Sequence, residues 1–120
     1  MSDCKKLMVW EKAHRLTLDI YQMTATFPKE KLYGLTSQVK RAAASVPANI
    51  AEGSGRGSNP ELFRFLRIAT GSAYELEYHI LLAHDLNLLT EENYERLNSQ
   101  VMEVKRMLTG LIQHLETKRR

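Results

Sequence analysis

Six polar side chains in this 120-residue chain recur every three or four positions: Gln38, Arg41, Ser45, Asn49, Glu52 and Arg56. On a helix that spacing gathers them on one flank. Amide, guanidinium, hydroxyl and carboxylate groups brought together can hold a polar ligand, move a proton, or hydrogen-bond to an adjoining helix. Ser72 and Glu75, further along the chain, supply complementary groups on a matching flank. Two readings are open, a ligand or catalytic groove and a buried polar seam that fixes helix register. The stripe runs beside an apolar face of Leu35, Val39, Ala42, Val46 and Ile50. That neighbour favours the seam, built from Gln38, Ser45, Asn49, Glu52, Ser72 and Glu75.

The stripe ends in Gly53-Ser54-Gly55-Arg56-Gly57-Ser58, which has the composition of a phosphate loop. It lacks the Gly-Lys-Ser/Thr ending of a nucleotide loop and follows a helix rather than a strand. It does lead into a helix N-terminus, where free backbone N–H groups favour an anion. Arg56, Arg64 and Arg67 lie near that end, and Arg41 belongs to the same basic segment. These four arginines are the candidate contacts for a nucleic-acid backbone.

The charge distribution agrees. Residues 36–72 hold five basic groups against two acids, whereas residues 73–117 hold three against eight. The formal net charge of +3 equals that of the last three residues, Lys118, Arg119 and Arg120. A basic surface at one end of the molecule is expected, not a uniformly basic protein. Along the chain aromatic and basic residues do not interleave, so nothing points to sequence-specific readout.

Other chemistry finds little support. A di-metal bundle site needs two Glu-x-x-His motifs and two further inward glutamates. The one match is Glu11-Lys12-Ala13-His14, and Glu11 points away from the core face. His79 and His84 are five apart and share no face. No serine sits in a nucleophile elbow, and Cys4 has no histidine placed to activate it. The expectation is a protein without metal, cofactor or enzymatic activity. A lone cysteine and no signal-peptide core or membrane span point to the cytoplasm.

Four amphipathic helices must position these residues. The first runs from about Val9 to Phe27, with Trp10, Ala13, Thr17, Ile20 and Thr24 on one face, and Phe27-Pro28 ends it. The second runs from about Tyr33 to Glu52, is bent at Pro47 and is broken by the glycines. The third opens at Asn59-Pro60, with Asn59 as the cap, and buries Leu62, Phe65, Leu66, Ala69, Ala73, Leu76, Ile80 and Ala83. The fourth opens at Thr90-Glu91-Glu92 and repeats Tyr94, Leu97, Val101, Val104, Leu108, Leu111 and Leu115. The fold class is all-α, an antiparallel up-down-up-down four-helix bundle. Residues 1–120 form one domain, with 1–7 and 117–120 as frayed ends.

The third helix has a second apolar stripe, Phe63, Thr70, Tyr74 and Leu81, about 120° from its core face on a 100° wheel. A monomeric bundle needs one apolar face per helix. The surplus points to contacts between subunits.

A family resemblance runs from Leu7-Met8-Val9-Trp10-Glu11-Lys12-Ala13 to the end of the fourth helix, and three segments carry it most specifically. They are Tyr33-Gly34-Leu35-Thr36-Ser37-Gln38, Ser45-Val46-Pro47-Ala48-Asn49-Ile50-Ala51-Glu52-Gly53, and Phe65 through Glu77. The chain resembles the bacterial 23S rRNA intervening-sequence proteins, the S23 family, over nearly its whole length. That family is similar to the accessory variability protein of diversity-generating retroelements, a pentameric bundle that binds nucleic acid and a reverse transcriptase. The resemblance implies a homopentamer that presents Arg41, Arg56, Arg64 and Arg67 to RNA or DNA, with a nucleic-acid-processing protein as a further partner. A protein–protein scaffold without nucleic-acid binding is the alternative.

Overall fold

In the computed structural model, which describes residues 3–29 and 33–119, four helices follow one another: α1 (Asp3–Thr24), α2 (Tyr33–Gly55), α3 (Asn59–Asp85) and α4 (Glu91–Arg119). Connections of a few residues join helices of 22 to 29 residues, so successive helices run antiparallel. Each helix packs on its sequence neighbours and α4 closes on α1, while among the described residues the diagonal pairs keep their Cα atoms more than 8 Å apart. The result is a bundle of 50 × 23 × 18 Å. Among the described residues no helix is long and apolar enough to cross a membrane.

The core is the set of faces that the sequence periodicity marks out. Leu16, Ile20, Ile50, Leu66, Leu76, Ile80, Leu97 and Leu108 are fully buried, with Val46, Val101 and Val104 between them. Small residues at Ala42, Ala43, Ala69 and Ala73 let α2 and α3 approach closely, and theirs is the most extensive interface in the bundle.

Helix ends differ from the sequence reading in instructive ways. α1 starts at Asp3 and stops at Thr24, leaving Phe27 as a buried loop residue (5% exposed). The described parts of the two ends expected to fray, 3–7 and 117–119, are helical; residues 1, 2 and 120 lie outside the described residues. α2 continues through Gly53 to Gly55, and the left-handed residue is Gly57 (φ +83°). Gly53 therefore does not terminate the helix. A Cβ there would lie 2.8 Å from the Phe65 Cβ and 3.3 Å from Leu62 Cδ1, so its hydrogen is what allows α3 to cross so closely. The α3 cap is Ser58, one residue before the expected Asn59: its backbone is extended and its Oγ accepts from the Glu61 N–H at 3.4 Å. Thr90 caps α4 as expected, its Oγ1 accepting from Asn93 N–H at 3.1 Å. At the other end of α3, Asn87 (φ 63°) donates to His84 O and Leu88 to Ala83 O, the paired bonds of a Schellman turn.

Pro47 lies buried inside an unbroken α2. Lacking an N–H, it leaves the Ala43 carbonyl one turn earlier without its helical donor. The Thr17 hydroxyl of α1 reaches that carbonyl at 3.0 Å, while also lying 2.8 Å from Ala13 O in its own helix. The α1–α2 contact is thus organised around the bond that the proline removes.

Candidate nucleic-acid interface

The polar stripe of α2 does meet α3. Ser45 Oγ and Ser72 Oγ are 2.8 Å apart, and Asn49 Nδ2 donates to Ser45 O (2.7 Å) and Ser45 Oγ (2.9 Å). One turn up, Arg41 donates to Gln38 Oε1 and to Glu75 across the helix pair. His79 extends the line, with Nε2 4.0 Å from Glu75 Oε2. Serine, asparagine and their partners are half-buried, whereas Gln38 and Arg41 are exposed. Glu52 departs from the expected seam: it is exposed and pairs with Arg56 (3.0 Å) rather than with α3. At Glu52 the stripe has reached the end of the bundle, and its last members turn to each other and to the start of α3, where Arg56 meets Glu61.

Three of the four candidate arginines gather at that end. Arg56 reaches Glu61 at 3.8 Å as well as Glu52, and Arg64 holds Glu61 at 3.0 Å. Both guanidiniums lie over the Phe65 ring, at 4.9 and 4.4 Å from its centroid. The Arg64 hydrogen bond lowers the Glu61 carboxyl below its ordinary pKa and raises that of the Arg64 guanidinium. Arg67 pairs with Glu116 of α4 at 3.3 Å and covers Phe63. Arg41, with Glu75, sits about midway along the helix pair. Every arginine of the set is thus half-exposed and already faces a carboxylate. Sequence spacing foresees the local pairs, and the matching flanks of the two helices already offer Glu75 to the stripe that holds Arg41, but nothing in the spacing points to Arg67–Glu116, whose members are 49 residues apart.

The second stripe of α3 divides. Tyr74 (57% exposed) and Leu81 (40%) stand on the surface, joined by Tyr78 (58%). Lys105 of α4 lies 3.9 Å from the Tyr74 ring centroid and donates to Glu77 at 2.6 Å. Thr70 is half-buried and bonds back to Leu66 O. Phe63 corrects the expectation: it is 3% exposed and part of the core, so it offers almost no surface to a second subunit. The long α4 reaches past α3's first turns and encloses that part of the stripe, as Arg67–Glu116 marks.

Among the described residues no three His, Cys, Asp or Glu side chains converge to hold a metal ion. With a bundle, a paired seam and an arginine cluster in place, the comparisons with known proteins can be set beside them. The family model described as 23S rRNA-intervening sequence protein matches residues 5–110. The chain belongs to that family. A solved structure of an S23 ribosomal protein family member from Bacteroides thetaiotaomicron, itself of unknown function, is 26% identical. It superposes with a TM-score of 0.83 over 91% of this chain and 98% of that one. No curated protein matches the chain. This intervening-sequence family member is therefore a four-helix bundle by sequence, structure and likeness alike.

Proposed function

We propose that this protein is a non-enzymatic bundle that assembles with copies of itself, in a ring of five, and holds RNA or DNA by its phosphate backbone. The observation that carries the assembly is the outer face of α3. Tyr74, Tyr78 and Leu81 follow one another at helical spacing and stay exposed among the described residues, with only Lys105 of α4 reaching over the Tyr74 ring. Support for the nucleic acid comes from the exposed arginines and from the family's description, which ties its members to an intervening sequence of 23S rRNA. The carboxylates beside Arg41, Arg56, Arg64 and Arg67 do not forbid such contact. Exposed pairs of this kind are worth about 0–1 kcal/mol, which a phosphate can offset. A nucleic-acid-processing protein is a further partner in this reading, and the cytoplasm its compartment.

Two measurements test it. A salt titration of oligonucleotide binding is expected to show affinity falling steeply with salt, and Arg64→Ala with Arg67→Ala is expected to weaken it several-fold. No binding at low salt would overturn the nucleic-acid half. Light scattering is expected to give an oligomer that Tyr74→Glu dissociates, and a monomer at all concentrations would overturn the assembly. The second reading, a scaffold without nucleic-acid binding, draws on the carboxylate beside each arginine, and an intact oligomer that binds no oligonucleotide at low salt would favour it.

A further inference from the structure

Between the C-terminal half of α1 and the first turns of α2 lies an open groove, two adjoining concavities of about 340 and 320 Å³ that share Tyr21, Thr36 and Lys40. Lys29 stands at one end and Ser37 and Arg41 at the other. Among the described residues no carboxylate lines it. Its cations differ from those at the opposite end of α2 in one respect. Arg56, Arg64 and Arg67 each face a carboxylate, whereas Lys29 and Lys40 meet none among the described residues. The contact recorded for Lys40 is with an aromatic ring: its Nζ lies 4.8 Å from the Tyr21 centroid, and Tyr21 is 45% exposed.

We infer that this groove is a seat for a single strand of RNA or DNA, with Lys29, Lys40 and Arg41 against consecutive phosphates and Tyr21 against a base. The inference rests on the nucleic-acid reading above and gives it a second, better-prepared surface. An ammonium that meets no carboxylate among the described residues gains a phosphate without giving up a carboxylate, so the contacts of Lys29 and Lys40 release bound counterions with no competing loss, whereas Arg41 is shared with Glu75. A cationic channel holding an exposed aromatic ring is the chemistry by which single strands are held without regard to sequence. Thr36 and Ser37 add hydroxyl donors for phosphate oxygens. The channel between two neighbouring helices is too narrow for a duplex, whose backbones would span the whole 18–23 Å width of the bundle. Lys40 and Tyr21 lie 19 residues apart on different helices, which is why no interleaving of aromatic and basic residues shows along the chain.

The experiment is fluorescence anisotropy on the whole protein, with a labelled oligonucleotide of about 12 residues, single-stranded and as a duplex, across a salt series. Lys29→Ala with Lys40→Ala is expected to weaken single-strand binding about tenfold at low salt and to reduce the slope of log affinity against log salt by about 1.4. Tyr21→Ala is expected to weaken binding about fivefold while leaving the salt slope unchanged. All three positions are at the surface, and helix content by circular dichroism verifies that each variant folds. Binding by the parent protein that the lysine pair leaves unaltered would overturn the groove and leave the nucleic-acid reading standing. No binding of either oligonucleotide would overturn both. A duplex held as tightly as the single strand, or a polyglutamate peptide that displaces it equally well, would overturn the assignment of the occupant.

Discussion

The two sides of α2 meet their neighbours by different rules. Toward α3 the surface is closed: Gly53 removes a side chain where Phe65 crosses, and Ser45, Asn49 and Ser72 satisfy one another. Toward α1 the Thr17 hydroxyl reaches the Ala43 carbonyl, and nearer the C-terminal end of α1 lies a groove whose lysines meet no carboxylate among the described residues. Polar groups on the first side are spent on one another and specify register. Those on the second remain free to meet something else. In one helix the residue types alone do not separate a structural polar group from a binding one. What separates them is whether a partner within the chain already exists.

The largest expected effect breaks the closed side. Gly53→Val places branched carbon where only 2.8 Å separates the added Cβ from Phe65 Cβ, an atom held by its own backbone. Urea denaturation is expected to show a loss of about 3 kcal/mol, at the upper end of overpacking costs. Next comes the contact at the proline. Thr17→Val leaves the buried Ala43 carbonyl without a donor and is expected to cost about 1–3 kcal/mol. With Pro47→Ala already present, the helix supplies its own donor and the same substitution is expected to cost clearly less. A cost unchanged by the alanine would remove the link between Thr17 and the proline.

Smaller effects sharpen the comparison. Ser45→Ala is expected to cost about 1 kcal/mol, because Asn49 and Ser72 each lose a partner. In a Ser72→Ala background the penalty should shrink, as a double-mutant cycle would show. The smallest effect is at the far turn, where the His84 ring nitrogens lie 3.0 Å from Asp85 Oδ1 and 3.1 Å from Glu91 Oε1, over the Tyr94 ring. Only the imidazolium donates from both nitrogens. The bond from Glu91, then that from Asp85, raises the His84 pKa above 6.5. A raised folded value means that the contribution is complete below the unfolded value and lost as pH climbs through the folded one. The parent protein is therefore expected to lose stability relative to His84→Gln as pH rises from 6.5 through the raised folded value; equal profiles would discount the clamp.

Periodicity made the four helices, their core faces and the Ser45–Asn49–Ser72 seam legible, because each depends on residues spaced by one helical turn. What stayed hidden depends on contacts between distant positions. Gly53 reads as a terminator in sequence, since nothing local reveals that Phe65 passes above it. Thr17 sits in an apolar face, and its hydroxyl acquires a purpose only from a carbonyl freed in another helix. Phe63 falls on the outer stripe of the wheel, yet the length of α4 encloses it. The arginines stand out by type and Glu75 by its flank, but the carboxylate opposite Arg67 lies on α4, where no spacing points to it. Lys40 belongs to the same basic segment by type, and only the fold shows that it lies against the Tyr21 ring of another helix.

Lysine acetylation mapped by mass spectrometry, with and without a saturating single-stranded oligonucleotide, tests the contrast between the two sides of α2 most directly. Lys29 and Lys40, in the open groove, are expected to become protected, while Lys12 and Lys105, paired with Glu103 and Glu77, react as before. A bound oligonucleotide that leaves Lys29 and Lys40 as reactive as in the free protein would contradict the account.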